Sequence, residues 1–151
     1  MNFDDFVTAN GVARNIADGE YVFRQGETCA SVFLVRAGLL KACYVTGEGK
    51  ETIKSFIREG EIIGSLSAAY QGEASPFSLV CLSDARLVEL DFATLYDASQ
   101  KDLDIARVTT RFLLAFAMNK ERRERDFLTA SAEQRYRLLV QDMPDLLDRV
   151  T

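Results

Sequence analysis

The stretch SVFLVRAGLLKACYVTGEGKETIKSFIREGEIIGSL, residues 31–66, decides the fold. Its runs of Val, Ile, Leu, Phe and Tyr are short, and Gly38, Gly47, Gly49, Gly60 and Gly64 break them. Such runs, bounded by turn residues every 8–12 residues or about that, read as strands of an all-β roll, sandwich or barrel. VTGEGKE is a hairpin tip, with Gly47 and Gly49 in the turn. The pattern extends upstream to EYVFRQGE and downstream to SPFSLVCLSD and ARLVELD. Ahead of it, NFDDFVTANG predicts a short helix that packs Phe3 and Phe6 inward.

Within this array, GEIIGSLSAAYQGEASPFSL (residues 60–79) predicts a strand, a glycine turn, a short helix and another strand. The turn at Gly64 and Ser65 is expected to open toward the space between the strands and to present backbone N–H groups to an anion. Yet no Lys or Arg occurs between Arg58 and Arg86, while Glu59, Glu61, Glu73 and Asp84 are acidic. The loop is shaped for an anion and carries no cation.

From Asp91 the period becomes helical. DFATLYDASQ predicts one short helix, and a long one follows from about Asp102 to Phe127. The long helix has two apolar stripes: Ile105, Val108, Phe112, Ala115 and Phe116 on one side, Leu103, Thr110, Leu113, Leu114 and Ala117 on another. One stripe suffices to dock on a sheet, so the second needs its own partner, and a homodimer through this helix is expected. Ile105, Val108, Phe112, Ala115 and Asn119 are taken as the seam, with Asn119 fixing register. The ERRER run at 121–125 mixes its signs and reads as a solvated face. A further helix begins near Thr129 or Ser131, either of which can cap it, and Pro144 interrupts it.

Composition narrows the function. The chain has 151 residues, 48% of them hydrophobic and 27% charged, which suits one soluble domain. No apolar run reaches the roughly 20 residues that span a bilayer, and MNFDDFVTAN lacks the pattern of a signal peptide, so a cytoplasmic protein without membrane contact is expected. A net charge of −5 argues against duplex binding over a broad face of this segment. With no histidine, His-ligated zinc, His-held haem and Ser-His or Cys-His nucleophile pairs are excluded. Cys29, Cys43 and Cys81 have no metal-ligand spacing. No cofactor and no metal site are expected.

The order of strands, the glycines of ADGEYVFRQGE, SVFLVRAGLLKACYV, the GEGKE hairpin and REGEIIGSL together resemble the cyclic-nucleotide-binding domain of Crp/Fnr-type bacterial transcription regulators, over about Ile16 to Tyr136. The resemblance implies a mainly β fold with helices: a double-stranded β-helix, or jelly-roll-like β-roll, then a long dimerisation helix and a further C-terminal helix. It divides the chain into a roll at 1–100, the dimerisation helix at 101–128, and at 129–151 the start of the connection to a helix-turn-helix domain. That domain, through which such regulators contact DNA, lies outside this sequence.

The resemblance also locates the ligand site. Nucleotide-binding members place a Glu after the glycine for the ribose, and an Arg followed by a small hydroxyl residue for the cyclic phosphate. Ser65, Ser75 and Pro76 stand at those positions here. Two serines cannot replace a charge-assisted, bidentate contact to phosphate, and Pro76 removes a backbone donor. On the long helix Phe116, Lys120 and Glu121 replace the small hydroxyl pair of cAMP binders. No response to cAMP or cGMP is expected. The degenerate pocket retains Gly64, Ser65, Leu66, Ser75, Pro76, Phe77, Lys54, Ser55, Ala42, Phe116, Lys120 and Glu121, suited to a small, largely apolar or singly charged effector of unknown identity. The plain structural alternative is that Lys54 points to solvent by strand alternation while the serines satisfy nearby backbone groups.

These features predict an effector-sensing and dimerisation portion of a regulator. The alternative is a stand-alone ligand-binding or dimerisation module without DNA binding. Enzyme activity is not expected: the acidic residues Glu20, Glu27, Glu51 and Glu61 are scattered beside turns. A redox sensor would need clustered cysteines, which the chain lacks, although Cys29 in the turn GETCAS is a candidate for thiol oxidation.

Overall fold

Strand residues 12–91 fold into two four-stranded antiparallel sheets in this computed structural model, which describes residues 2–150. The strands are β1 (Val12–Ile16), β2 (Tyr21–Phe23), β3 (Ser31–Ala37), β4 (Leu40–Val45), β5 (Glu51–Ile57), β6 (Ile62–Ile63), β7 (Ser78–Cys81) and β8 (Ala85–Asp91). One sheet has the order β1-β8-β3-β6 and the other β2-β7-β4-β5. Every predicted apolar run between Tyr21 and Asp91 contributes a strand. The sheets meet through aromatic rings. Phe23 on β2 lies 6.2 Å from Phe33 on β3, and 5.5 Å from Phe77, which leads into β7. Around them Leu40, Leu79, Leu87 and Leu90 are buried.

Helices frame the roll. α1 (Phe3–Asn10) is capped by Asn2, whose side chain accepts from Asp5 N, and it buries Phe6 and Val7; Phe3 is only half-buried. Gly11 ends it against β8, where an added Cβ would lie 2.4 Å from Val88 Cγ1. α2 (Leu66–Gln71) is the short helix expected between β6 and β7, and α3 (Phe92–Ser99) begins at the cap Asp91. The long helix α4 runs from Leu103 to Thr129, then α5 covers Ala132–Asp142 and α6 covers Leu146–Val150, with Pro144 between them. Ser131, not Thr129, caps α5, in a reciprocal box with Gln134. The chain forms two compact units, residues 1–107 and 108–151, so the division falls within α4.

At the β3–β4 turn, Gly38 has φ +106°, and a Cβ there would lie 2.8 Å from the Asp84 carbonyl and 2.9 Å from Ala85 Cα. Gly19 has φ +83° with open space around it. Gly38→Ala is therefore expected to cost the roughly 1–3 kcal/mol of a strained backbone plus a backbone displacement, and Gly19→Ala the first part alone. Urea unfolding should show the larger fall in midpoint for Gly38→Ala at an unchanged slope.

Candidate functional site

The glycine turn is closed. β6 ends at Gly64 because the chain passes so near β3 that a Cβ would sit 2.8 Å from Val32 Cγ1. That approach delivers Ser65, 2% exposed, to the N-cap of α2. Its Oγ accepts from Ala68 N at 3.3 Å and lies 3.4 Å from Ser67 Oγ, while its carbonyl accepts from Ala69 N at 2.8 Å. The expected opening toward an anion is instead a helix cap. Gly64 serves close packing, and the hydroxyl of Ser65 satisfies α2.

Ser75 is occupied as fully. It is 2% exposed. Its N–H donates to the Glu27 carbonyl at 2.7 Å, its carbonyl accepts from Gly26 N at 2.8 Å, and its Oγ donates to the Phe77 carbonyl at 2.7 Å. Phe77 N in turn donates to Ser75 Oγ at 3.4 Å. Pro76, exposed between them, has no N–H. All main-chain donors of residues 75–77 are thus engaged internally or missing. The serines behave as the plain structural alternative predicts.

Lys54 does not. β4 and β5 pair Ala42 with Ser55 and then Cys43 with Ile53, so Lys54 is the extra residue of a β-bulge. A bulge interrupts the alternation of side chains and re-aims the residue it inserts. The Lys54 ammonium consequently lies 4.9 Å from the centre of the Phe77 ring, a cation–π contact, and is not directed into solvent by alternation. Phe77 is 3% exposed, Ala42 is fully buried, and Ser55 and Leu66 are half-buried. A cation therefore stands beside the loop, supplied by a strand remote from it in sequence.

On α4, Phe116 is half-buried and meets Phe112 edge-on at 5.7 Å, whereas Lys120 and Glu121 are exposed. The expected seam is not one free surface. Ile105 is 2% and Phe112 8% exposed, Val108 is half-buried, and only Ala115 and Asn119 are exposed. Exposed apolar side chains on α4 include Leu103, Leu113 and Leu114 of the other stripe, and also Met118, Phe127 and Leu128. Thr109, buried within the first stripe, and Gln25 were not singled out from the sequence.

The thiols do not favour redox chemistry. Cys43 and Cys81 are buried and Cys29 is half-buried. Burial is the main cause that raises the pKa of each. For Cys81, with Glu20, Asp18 and Asp84 adding to the effect, it reaches about 11. Among the described residues, no group of three or more Cys, Asp or Glu side chains is arranged to hold a metal, and no helix is long and apolar enough to cross a membrane.

Residues 13–102 match the family model of the cyclic nucleotide-binding domain. The transcriptional activator protein anr of Pseudomonas aeruginosa is 32% identical over 100 residues, which cover 66% of this chain and 40% of that protein. The transcriptional activator protein FnrA of Stutzerimonas stutzeri is 35% identical over 86 residues, 57% of this chain and 34% of that one. The chain thus spans well under half the length of these relatives. In fold it is similar to the c-di-GMP-responsive global regulator CLP of Xanthomonas campestris, with a TM-score of 0.75 at 18% identity over 95% of this chain and 70% of that one.

The raised thiol pKa values leave little thiolate near neutral pH. Alkylation of the native protein at pH 8 is expected to reach Cys29 first and slowly, and Cys43 and Cys81 only after denaturant is added. Peptide mapping by mass spectrometry checks the order.

Proposed function

This chain belongs to the cyclic nucleotide-binding domain family, and from that premise we propose that it is the effector-sensing and dimerisation portion of a cytoplasmic bacterial Crp/Fnr-type transcription regulator that does not respond to cAMP or cGMP. DNA would be contacted by a domain outside this sequence. The observation that carries the reading is the state of Ser75, whose N–H, carbonyl and hydroxyl are each hydrogen-bonded within the roll. A cyclic phosphate placed at this loop would meet no free amide at Ser75, Pro76 or Phe77, and no arginine stands at those positions. Arg–phosphate pairs owe their strength to a charged, two-pronged donor, and a single neutral hydroxyl already donating elsewhere supplies neither. Lys54 offers one positive charge from the β5 side, which suits a small, largely apolar or singly charged effector.

Pairing follows from the bare stripe of α4. Leu103, Leu114 and Met118 are exposed along the helix, Lys120–Asp126 is wholly charged, and the exposed Leu128 follows it. A second copy laid along this stripe would cover it. An effector acts on such a dimer only through its different affinity for two arrangements of the pair. The two relatives described above are transcriptional activators by name, which supports a regulator over an enzyme.

Two measurements test this. Calorimetric titration with cAMP and with cGMP through the micromolar range is expected to show no saturable heat. Sedimentation is expected to show a dimer that Leu114→Glu weakens by about a hundredfold or more, because two leucines worth roughly 1.5–3 kcal/mol each leave the seam. Circular dichroism should show the helical content of that variant retained.

A further inference from the structure

The turn between β2 and β3 is tied to two segments that are far apart in sequence. β4 pairs with β7 only over Leu40–Cys43, so Tyr44 and Val45 have no β7 partner. The carboxamide of Gln25 stands in for one. Its Nε2 donates to the Val45 carbonyl at 3.0 Å, and its Oε1 accepts from Val45 N at 2.8 Å, as a neighbouring strand's peptide group would. The backbone N–H of Gln25 donates to the buried Ser78 Oγ at 2.8 Å. The next two residues hold the loop: Gly26 N donates to the Ser75 carbonyl, and the Glu27 carbonyl accepts from Ser75 N. One rigid turn, braced by Arg24 N donating to Glu27 Oε1 at 2.6 Å, therefore grips Ser75 with its backbone and Val45 with a side chain.

We propose that Gln25 is a positioning residue that couples the loop Ser75–Phe77 to the β4–β5 hairpin, so that a displacement of Ser75 is read at the hairpin tip. This goes beyond the proposed function by giving the roll a second output, distinct from the pairing of α4. The hairpin suits that use. Tyr44, Val45 and Ile53 are 38%, 40% and 44% exposed, a surface whose presentation changes if the hairpin shifts. Only a carboxamide fits the post, because it offers a donor and an acceptor side by side. An ionised carboxylate keeps the bond from Val45 N but turns lone pairs toward the Val45 carbonyl.

Backbone hydrogen exchange on the whole chain tests the coupling without any ligand. The reporter is the Thr46 amide, which donates to the Lys50 carbonyl across the hairpin tip. Ser75→Ala removes the hydroxyl bond to the Phe77 carbonyl and is expected to speed Thr46 exchange by about fivefold, the loss of roughly one neutral hydrogen bond's worth of local stability. Amides of Phe33 and Leu34 in the other sheet should be unchanged. In a Gln25→Ala background the same Ser75 change should leave Thr46 at the rate set by Gln25→Ala alone, and a Gln25→Glu background should fall between. A purely structural Gln25 gives additive effects instead. Equal acceleration with and without Gln25, or a Thr46 rate that ignores Ser75→Ala, overturns the proposal. If Ser75→Ala does not fold, Ser75→Cys provides the same contrast with its weaker donor.

Discussion

The hydrogen bonding of Ser75 is the constraint on which the rest of the roll depends. A buried serine has a main-chain donor, a main-chain acceptor and a hydroxyl to satisfy, and leaving any of them unmet in a dry interior costs about 1–3 kcal/mol. Here Glu27, Gly26 and Phe77 meet all of them. That solution fixes the loop before β7, sets Phe77 against Phe23 between the sheets, and brings the β2–β3 turn alongside. It also answers what a loop shaped for an anion can hold without a cation: its own chain.

Charge was relocated along with donors. The Lys54 ammonium near the loop comes from β5, and it arrives there because a bulge breaks the alternation that would otherwise aim it outward. Over the Phe77 ring it gains a cation–π contact that, for a partly shielded lysine, is worth about 1 kcal/mol. An ammonium is a point charge on a flexible stem and lacks the planar fork that recognises phosphate. Retention of the scaffold with exchange of the gripping groups is how one fold serves different effectors, and the function follows the groups rather than the fold.

Much of this architecture was legible in the residues. Glycines and short β-branched or aromatic runs marked each strand from Tyr21 to Asp91, and the switch of period at Asp91 marked the helices. The absence of an arginine at Ser75 and Pro76 was equally plain. Two features were not. The bulge at Lys54 is a property of strand register, which depends on how β4 and β5 pair and leaves no mark in TIKSF itself. Both apolar stripes of α4 satisfy the same periodicity, so the residues alone do not rank them. Ile105 and Phe112 are buried in the single chain, while Leu103, Leu114, Met118, Phe127 and Leu128 are exposed. The role of Gln25 was hidden because a glutamine in a glycine turn reads as solvent-facing polarity.

Amide chemical shifts of Ser75 and Phe77 give the most direct view of the central claim. Isotope-labelled protein titrated with cAMP, and separately with inorganic phosphate, should leave both resonances in place. Saturable movement of both with the nucleotide would mean that the loop releases its internal partners to take a phosphate, and the account given for this site would be wrong.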